Sequence, residues 1–321
     1  MKNANLDKLD SLIDTALRLQ DEHRTASAPL GHPSAAARNI AKPLVETADF
    51  WNAVKRVGKF EFSQECSFSQ SSEVGEKFRE IRANLQTLQT DKGIKVIVFS
   101  SSHHNEGKTH TAVNAARFMA HSKGRKTLLI DCDLRRPQIK NHITAQCDYY
   151  LEDILAGKCK ITDAVVHSEE DNLSLLLTRR GQSNATEMLE APAMVKLLAT
   201  LRQAFDFVII DTSPILSTTD PMILGAMSDG IILVVKTGFT QRESVEQAIS
   251  LMYQSNAKVL GVVLSQMKNY IPKYLYRYHY FSDAYSDYYA PEAKVKKPRA
   301  AKTKVEEHAK NSQPASAPPE N

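Results

Sequence analysis

One stretch, residues 94–137, limits this chain to a narrow set of folds: IKVIVFSSSHHNEGKTHTAVNAARFMAHSKGRKTLLIDCDLRRP. An apolar run over 94–99 leads into a polar loop ending in Gly107-Lys108-Thr109, then into Ala112, Ala115, Ala116 and Met119 at helical spacing. The order is strand, loop, helix. A second apolar run over 127–130 ends in Asp131-Cys132-Asp133, and a third, Phe207-Val208-Ile209-Ile210, ends in Asp211. Open parallel sheets gather ligands beyond the carboxyl ends of their strands. One strand end carrying a loop and two carrying acids therefore point to a single site.

The loop departs from the spacing G-x-x-x-x-G-K-[ST], because Ser102 replaces the opening glycine and Asn105 stands where another glycine is common. Asn is the side chain that best tolerates left-handed backbone angles, so the chemistry survives the change. Successive N–H groups over Ser102, His103, His104, Asn105, Glu106, Gly107, Lys108, Thr109 and His110, with the helix N-terminus, predict an anion cradle. Lys108 is placed to reach β- and γ-phosphates, and the Thr109 hydroxyl to ligate Mg²⁺. Asp211 would hold the same metal. The plainer alternatives are a strand-to-helix turn that contains Gly-Lys-Thr by accident and a strand-end Asp that merely caps a turn. Three complementary pieces favour nucleotide binding.

Further strands are expected over 173–177, 207–210, 231–235 and 259–264, separated by helical patterns over 187–205 and 241–255. With the strands at 94 and 128 this makes at least six, alternating with helices, hence a mostly parallel central sheet covered on both faces. The fold class is α/β, a P-loop NTPase three-layer sandwich. A domain of about 200 residues fits, with appendages left over. Residues 1–23 are expected to form an amphipathic helix with Leu6, Leu9, Ile13 and Leu17 on one stripe, and 24–72 a linker and a small element around Phe50, Trp51, Val54, Val57, Phe60 and Phe62. The main domain runs over 73–268, beginning with a helix over 73–90. Glu76, Arg79 and Arg82 lie three apart along that helix, a pattern that is by itself only a surface ion-pair series.

Composition excludes several classes. Net charge is +4, most of it in the basic tail 291–321, which gives no general case for nucleic-acid binding. Cys66, Cys132, Cys147 and Cys159 show no metal spacing and suit a reducing cytoplasm. No apolar run reaches the roughly 18 residues of a membrane span. Asp7, Asp10 and Asp14 occupy the place of a signal peptide's apolar core. The expectation is a cytoplasmic protein.

The segment 269–290 changes the question. Tyr270, Tyr274, Tyr276, Tyr278, Tyr280, Tyr285, Tyr288 and Tyr289 are eight of the chain's 11 tyrosines. Interleaved Lys268, Lys273, Arg277 and His279 would also suit a stacking surface for single strands. Beside an ATP-type site, a tyrosine-rich tail has another role: it is a substrate.

Over residues 73–290 the chain resembles the bacterial tyrosine kinases of the capsule and exopolysaccharide systems. Their Walker A loop is matched by 101–109, and their D-x-D motif with a following Arg by Asp131-Cys132-Asp133-Leu134-Arg135. Their Walker B strand is matched by 208–211. Their E-x-x-R-x-x-R oligomerisation motif falls on Glu76, Arg79 and Arg82, and their C-terminal tyrosine cluster on 269–290. The last strand ends Ser265-Gln266, where relatives carry an Asn that contacts the base. The resemblance implies an ATP- and Mg²⁺-dependent tyrosine autokinase in which Lys108, Asp131 and Asp133 are catalytic and Thr109, Asp133 and Asp211 hold the metal. It also implies a ring-like homo-oligomer at the inner face of the plasma membrane. Recruitment there would come only through a membrane polysaccharide co-polymerase whose cytoplasmic segment activates the kinase. Two rivals share the loop: a scaffold that binds nucleotide without transfer, and a ParA/MinD-type ATPase switch. The switch carries an early loop lysine where this chain has His103, and lacks the tyrosines.

Overall fold

The computed structural model describes residues 43–267, apart from 70, 71, 123 and 180. The amphipathic helix expected over 1–23 and the segments 269–290 and 291–321 fall outside the described residues. All the expected strands form: β3 (Val96–Ser101), β4 (Thr127–Asp131), β7 (Leu173–Leu176), β8 (Phe207–Asp211), β9 (Gly230–Lys236) and β10 (Val259–Ser265). Two short strands that sequence patterning does not reveal, β1 (Lys55–Val57) and β6 (Val166–Ser168), extend the sheet. Its order is β1-β6-β7-β4-β8-β3-β9-β10. Every pairing is parallel except β6 with β7. That exception follows from the tight turn between them, which ends in Asn172 at φ 51 and is too short for a crossover. A separate antiparallel pair joins β2 (Glu61–Phe62) to β5 (Ile143–Thr144).

Strand alternation builds two apolar layers. On β3, Val96 and Val98 pack on one face and Ile97 and Phe99 on the other; Val208 and Ile210 oppose Phe207 and Ile209 on β8 in the same way. The first layer is covered by α7 (Pro192–Ala204), α8 (Asp220–Met227) and α9 (Arg242–Gln254), which bury Leu197, Leu201, Leu224, Ile249 and Met252. The second is covered by α3 (Lys108–Ala120) through Ala112, Val113, Ala116 and Met119, with Leu85 from α2 (Glu73–Lys92). The ends of α2 are set locally. The Ser72 side chain accepts the Gly75 N–H at its start, and Gly93 takes φ 65 at its end.

The single helical pattern expected over 187–205 is corrected to two helices, α6 (Ala185–Glu190) and α7. Pro192 cannot continue a helix but suits the first position of the next, and it drives Ala191 to φ −61, ψ 143. The small element around Phe50 is part of the main core. Phe50, on α1 (Thr47–Ala53), is fully buried and packs edge-on against Phe205. Its neighbour Trp51 donates its indole N–H to the Ala204 carbonyl at 3.1 Å and lies under the Lys126 ammonium at 4.0 Å.

Candidate functional site

Between β3 and α3 the loop turns twice through the left-handed region, at Asn105 (φ 63) and Gly107 (φ 89). Asn105 therefore occupies the conformation that made it a mild replacement for glycine. Glu106 is fully buried and braces the loop: its carboxylate accepts the His103 N–H at 3.1 Å and the Thr240 hydroxyl at 2.5 Å. The Ser265 hydroxyl donates to the Glu106 carbonyl, so the ends of β9 and β10 hold the loop from one side. Of the predicted cradle residues, His103 lies with Nε2 3.0 Å from Ser244 Oγ. The His110 ring sits 3.1 Å from the Glu65 carbonyl and against His142 and Phe78. His104 is exposed, and burial and the nearby Arg136 hold its pKa below the ordinary histidine value. Ser102 Oγ is buried without a hydrogen-bond partner among the described residues.

The acids converge as their strand ends require. β4 and β8 pair with Asp131 directly opposite Asp211, which places their Cα atoms about 4.8 Å apart with side chains on one face. Lys108 Nζ stands 3.0 Å from Asp133 Oδ2, 3.8 Å from Asp211 Oδ1 and 3.2 Å from Thr109 Oγ1. All five side chains are buried. Burial, followed by the charge of Asp211, pushes the Asp131 carboxyl well above the usual carboxylate range. Burial raises Asp211 to about 6, against the pull of Lys108. The two acids keep the Lys108 ammonium charged, its pKa raised despite burial. Asp131 also accepts the N–H groups of Asp133 at 3.2 Å and Ile139 at 3.1 Å, and Asp133 accepts that of Arg136 at 3.0 Å. The loop after β4 is thus wrapped around its own carboxylates.

Both Asp211 oxygens lack a hydrogen-bond partner among the described residues. An orphaned, buried carboxylate beside a hydroxyl and a second carboxylate is a hard-oxygen donor set of the kind Mg²⁺ takes, with phosphate and water completing its octahedron. No cluster of three or more His, Cys, Asp or Glu forms a protein-only metal cage among the described residues. The residues present therefore fit Mg²⁺ brought in with a nucleotide.

Sequence reasoning missed the ion pair between the exposed Arg135 and a buried acid. Asp220, fully buried at the start of α8, takes the Arg135 guanidinium at 2.9 Å and the Thr186 hydroxyl at 2.8 Å. The only signal available was the Arg that follows D-x-D. On α2, Glu76 and Arg79 form an ion pair and Arg82 lies half-buried one step further along the same ridge. All three stand on a different element from the acid cluster.

A parallel sheet whose central strand feeds a glycine-lysine-threonine loop into a helix, with two neighbouring strands ending in acids, defines a P-loop NTPase-type domain. The AAA domain family matches residues 94–262. Tyrosine-protein kinase YwqD of Bacillus subtilis is 34% identical over 193 residues, covering 60% of this chain and 81% of that protein. The succinoglycan biosynthesis transport protein ExoP of Rhizobium meliloti is 32% identical over 200 residues, 61% of this chain but 25% of ExoP. Among solved structures, the chimerical protein CapA2B2 superposes with TM-score 0.59 at 28% identity, covering 67% of this chain and 93% of that one. The chain belongs to the bacterial tyrosine-protein kinase family, and its enzyme class is protein-tyrosine kinase.

Proposed function

We propose that this kinase uses Mg-ATP to phosphorylate the tail tyrosines of a neighbouring copy of itself, and that this transfer regulates exopolysaccharide or capsule export. The acceptors are Tyr270, Tyr274, Tyr276, Tyr278, Tyr280, Tyr285, Tyr288 and Tyr289. The observation that carries the proposal is the gathering of Lys108, Asp131, Asp133 and Asp211 at adjoining strand ends, with Lys108 Nζ 3.0 Å from Asp133. Lys108 and the loop amides of 102–110 bind the phosphates and offset charge that builds on them during transfer. Thr109, Asp133 and Asp211 would hold Mg²⁺, which supplies Lewis-acid neutralisation of the phosphate oxygens. Asp131 orients the incoming phenol and takes its proton as the tyrosine oxygen bonds to the γ-phosphorus and the bond to the β-phosphate oxygen breaks. A tyrosine hydroxyl with pKa about 10 needs such an acceptor, and a carboxylate whose proton affinity is raised serves better than an exposed one. Each carboxylate oxygen accepts about two hydrogen bonds, so the Ile139 and Asp133 amides leave lone pairs for the phenol.

Glu76, Arg79 and Arg82 would pack neighbouring subunits into a ring, so that each tail meets the next subunit's site. Each phosphate adds about −1.5 to −2 charges, so several would loosen that ring by repulsion. The name of ExoP ties one relative to succinoglycan transport, and ExoP is far longer than the matched region. We take a membrane polysaccharide co-polymerase as the partner that recruits this chain to the inner face of the membrane and activates it. No helix among the described residues is long and apolar enough to cross a membrane itself. The test mixes two full-length chains with Mg-ATP: an enzyme whose eight tail tyrosines are Phe, and a Lys108→Met acceptor with its tail intact. Phosphotyrosine should appear on the acceptor, and Lys108→Met in the enzyme chain as well should lower it by about 100-fold or more. Nucleotide binding without any phosphotyrosine, with the co-polymerase co-expressed, would leave a scaffold instead.

A further inference from the structure

The loop that follows the acid cluster carries two further cations. Arg136 and Lys140 are exposed, and among the described residues neither pairs with a carboxylate. Their backbones are fixed to the site itself: the Arg136 N–H is the one bonded to Asp133, and Lys140 follows Ile139, whose N–H is bonded to Asp131. Lys140 Nζ donates to the Arg179 carbonyl at 2.9 Å. The Tyr150 ring lies 4.5 Å from Lys140 Nζ and 4.7 Å from Arg179 Cζ. Arg179 is anchored by Asp153 at 2.8 Å and lies 3.9 Å from the buried Glu152, and Arg135 is anchored by Asp220, so those two guanidiniums are compensated. Arg136 and Lys140 are left as the two cations of this loop without a carboxylate partner among the described residues. Two exposed cations without carboxylate partners, on a loop bonded to the site's own acids, favour an acidic peptide.

The chain's own tail is divided in the matching way. Residues 268–280 carry Lys268, Lys273 and Arg277 and no Asp or Glu, whereas 281–292 carry Asp283, Asp287 and Glu292 and no Lys or Arg. We propose that Arg136 and Lys140 dock the acidic segment 281–292 of a neighbouring copy, and so select Tyr285, Tyr288 and Tyr289 over the five tyrosines of the basic half. This rests on the autokinase reading. Were the segment to bind extended, at about 3.3 Å per residue, an acid one to four residues from a tyrosine would reach about 3–13 Å from it.

The test is charge reversal with rescue in full-length chains. The enzyme carries the eightfold Tyr→Phe tail, with or without Arg136→Glu and Lys140→Glu; the acceptor carries Lys108→Met, with or without Asp283→Lys and Asp287→Lys. Initial rates are read at each tyrosine by mass spectrometry. Reversal on the enzyme should slow Tyr285, Tyr288 and Tyr289 by about 5- to 10-fold and leave Tyr270 to Tyr280 within about twofold. Reversal on the acceptor should restore the lost rate. An equal loss at all eight sites, no loss, or no rescue overturns the proposal. Equilibrium dialysis of a radiolabelled peptide spanning 281–292 reads docking without transfer. Retention by the wild-type chain and about 5-fold weaker retention by the double reversal uphold docking even where phosphorylation fails, and equal retention overturns it.

Discussion

Replacing Asp211 by Asn should stabilise the nucleotide-free protein at neutral pH and remove its response to Mg-ATP. Burial, partly offset by Lys108, holds this carboxyl at about 6 instead of 3.8. In the unfolded chain it ionises near ~3.9. Between those values the folded state keeps a proton that the unfolded state has released, so stability falls as pH rises through the window. Above it the cost is complete. About two pKa units at about 1.4 kcal/mol each give about 3 kcal/mol as a ceiling, and local relaxation brings this to about 2 kcal/mol. Asn cannot ionise, so scanning calorimetry at pH 7.5 should show a Tm gain of about 4–8 °C over wild type. The gain should shrink to under about 1 kcal/mol near pH 4, where the folded and unfolded carboxyls both approach protonation. In the same scans Mg-ATP should raise the wild-type Tm more than ATP with EDTA, and the variant should lose that difference. A variant that melts at or below wild type at pH 7.5, or whose advantage persists undiminished at pH 4, refutes the reasoning.

Two further outcomes test the framework around the site. An ideal Cβ on Gly181 would lie 2.2 Å from the Arg135 carbonyl oxygen, so Gly181→Ala must push the loop after β4 aside. It should cost about 1–3 kcal/mol in urea unfolding. Phe50→Ala should cost about 3–5 kcal/mol in the same measurement, because α1 is part of the main core rather than of a linker.

The strand ends were legible because their chemistry is local. Gly107-Lys108-Thr109, Asp131-Cys132-Asp133 and Asp211 each announce themselves within a few residues, and register does the rest by setting Asp131 opposite Asp211. Asn105 was legible for the same reason, since its backbone demand depends only on its own side chain. What escaped is either short or distant. β1 and β6 have three residues each, too few to show a period of two. Pro192 did mark a helix start, but apolar residues on both sides of it masked the break. The Arg135–Asp220 pair joins positions 85 apart, and the Glu106–Thr240 brace positions 134 apart. No spacing rule reaches that far. The cationic surface around Arg136 and Lys140 likewise exists only once Arg179 and Tyr150 are folded beside it.

Trp51 gives the molecule a built-in optical asymmetry. It is the chain's one indole, and its contacts with Ala204 and Lys126 place it where β8 and β4 begin. Five residues of strand, about 16 Å, separate that end from the acids. Intrinsic emission should therefore follow melting of the sheet's base and stay silent when nucleotide arrives. The His167 ring lies edge-on to Trp51 at 5.3 Å, with its pKa lowered by burial. Quenching by its charged form should set in only on the acid side of the usual histidine titration, a background to subtract before any acid-unfolding curve is interpreted.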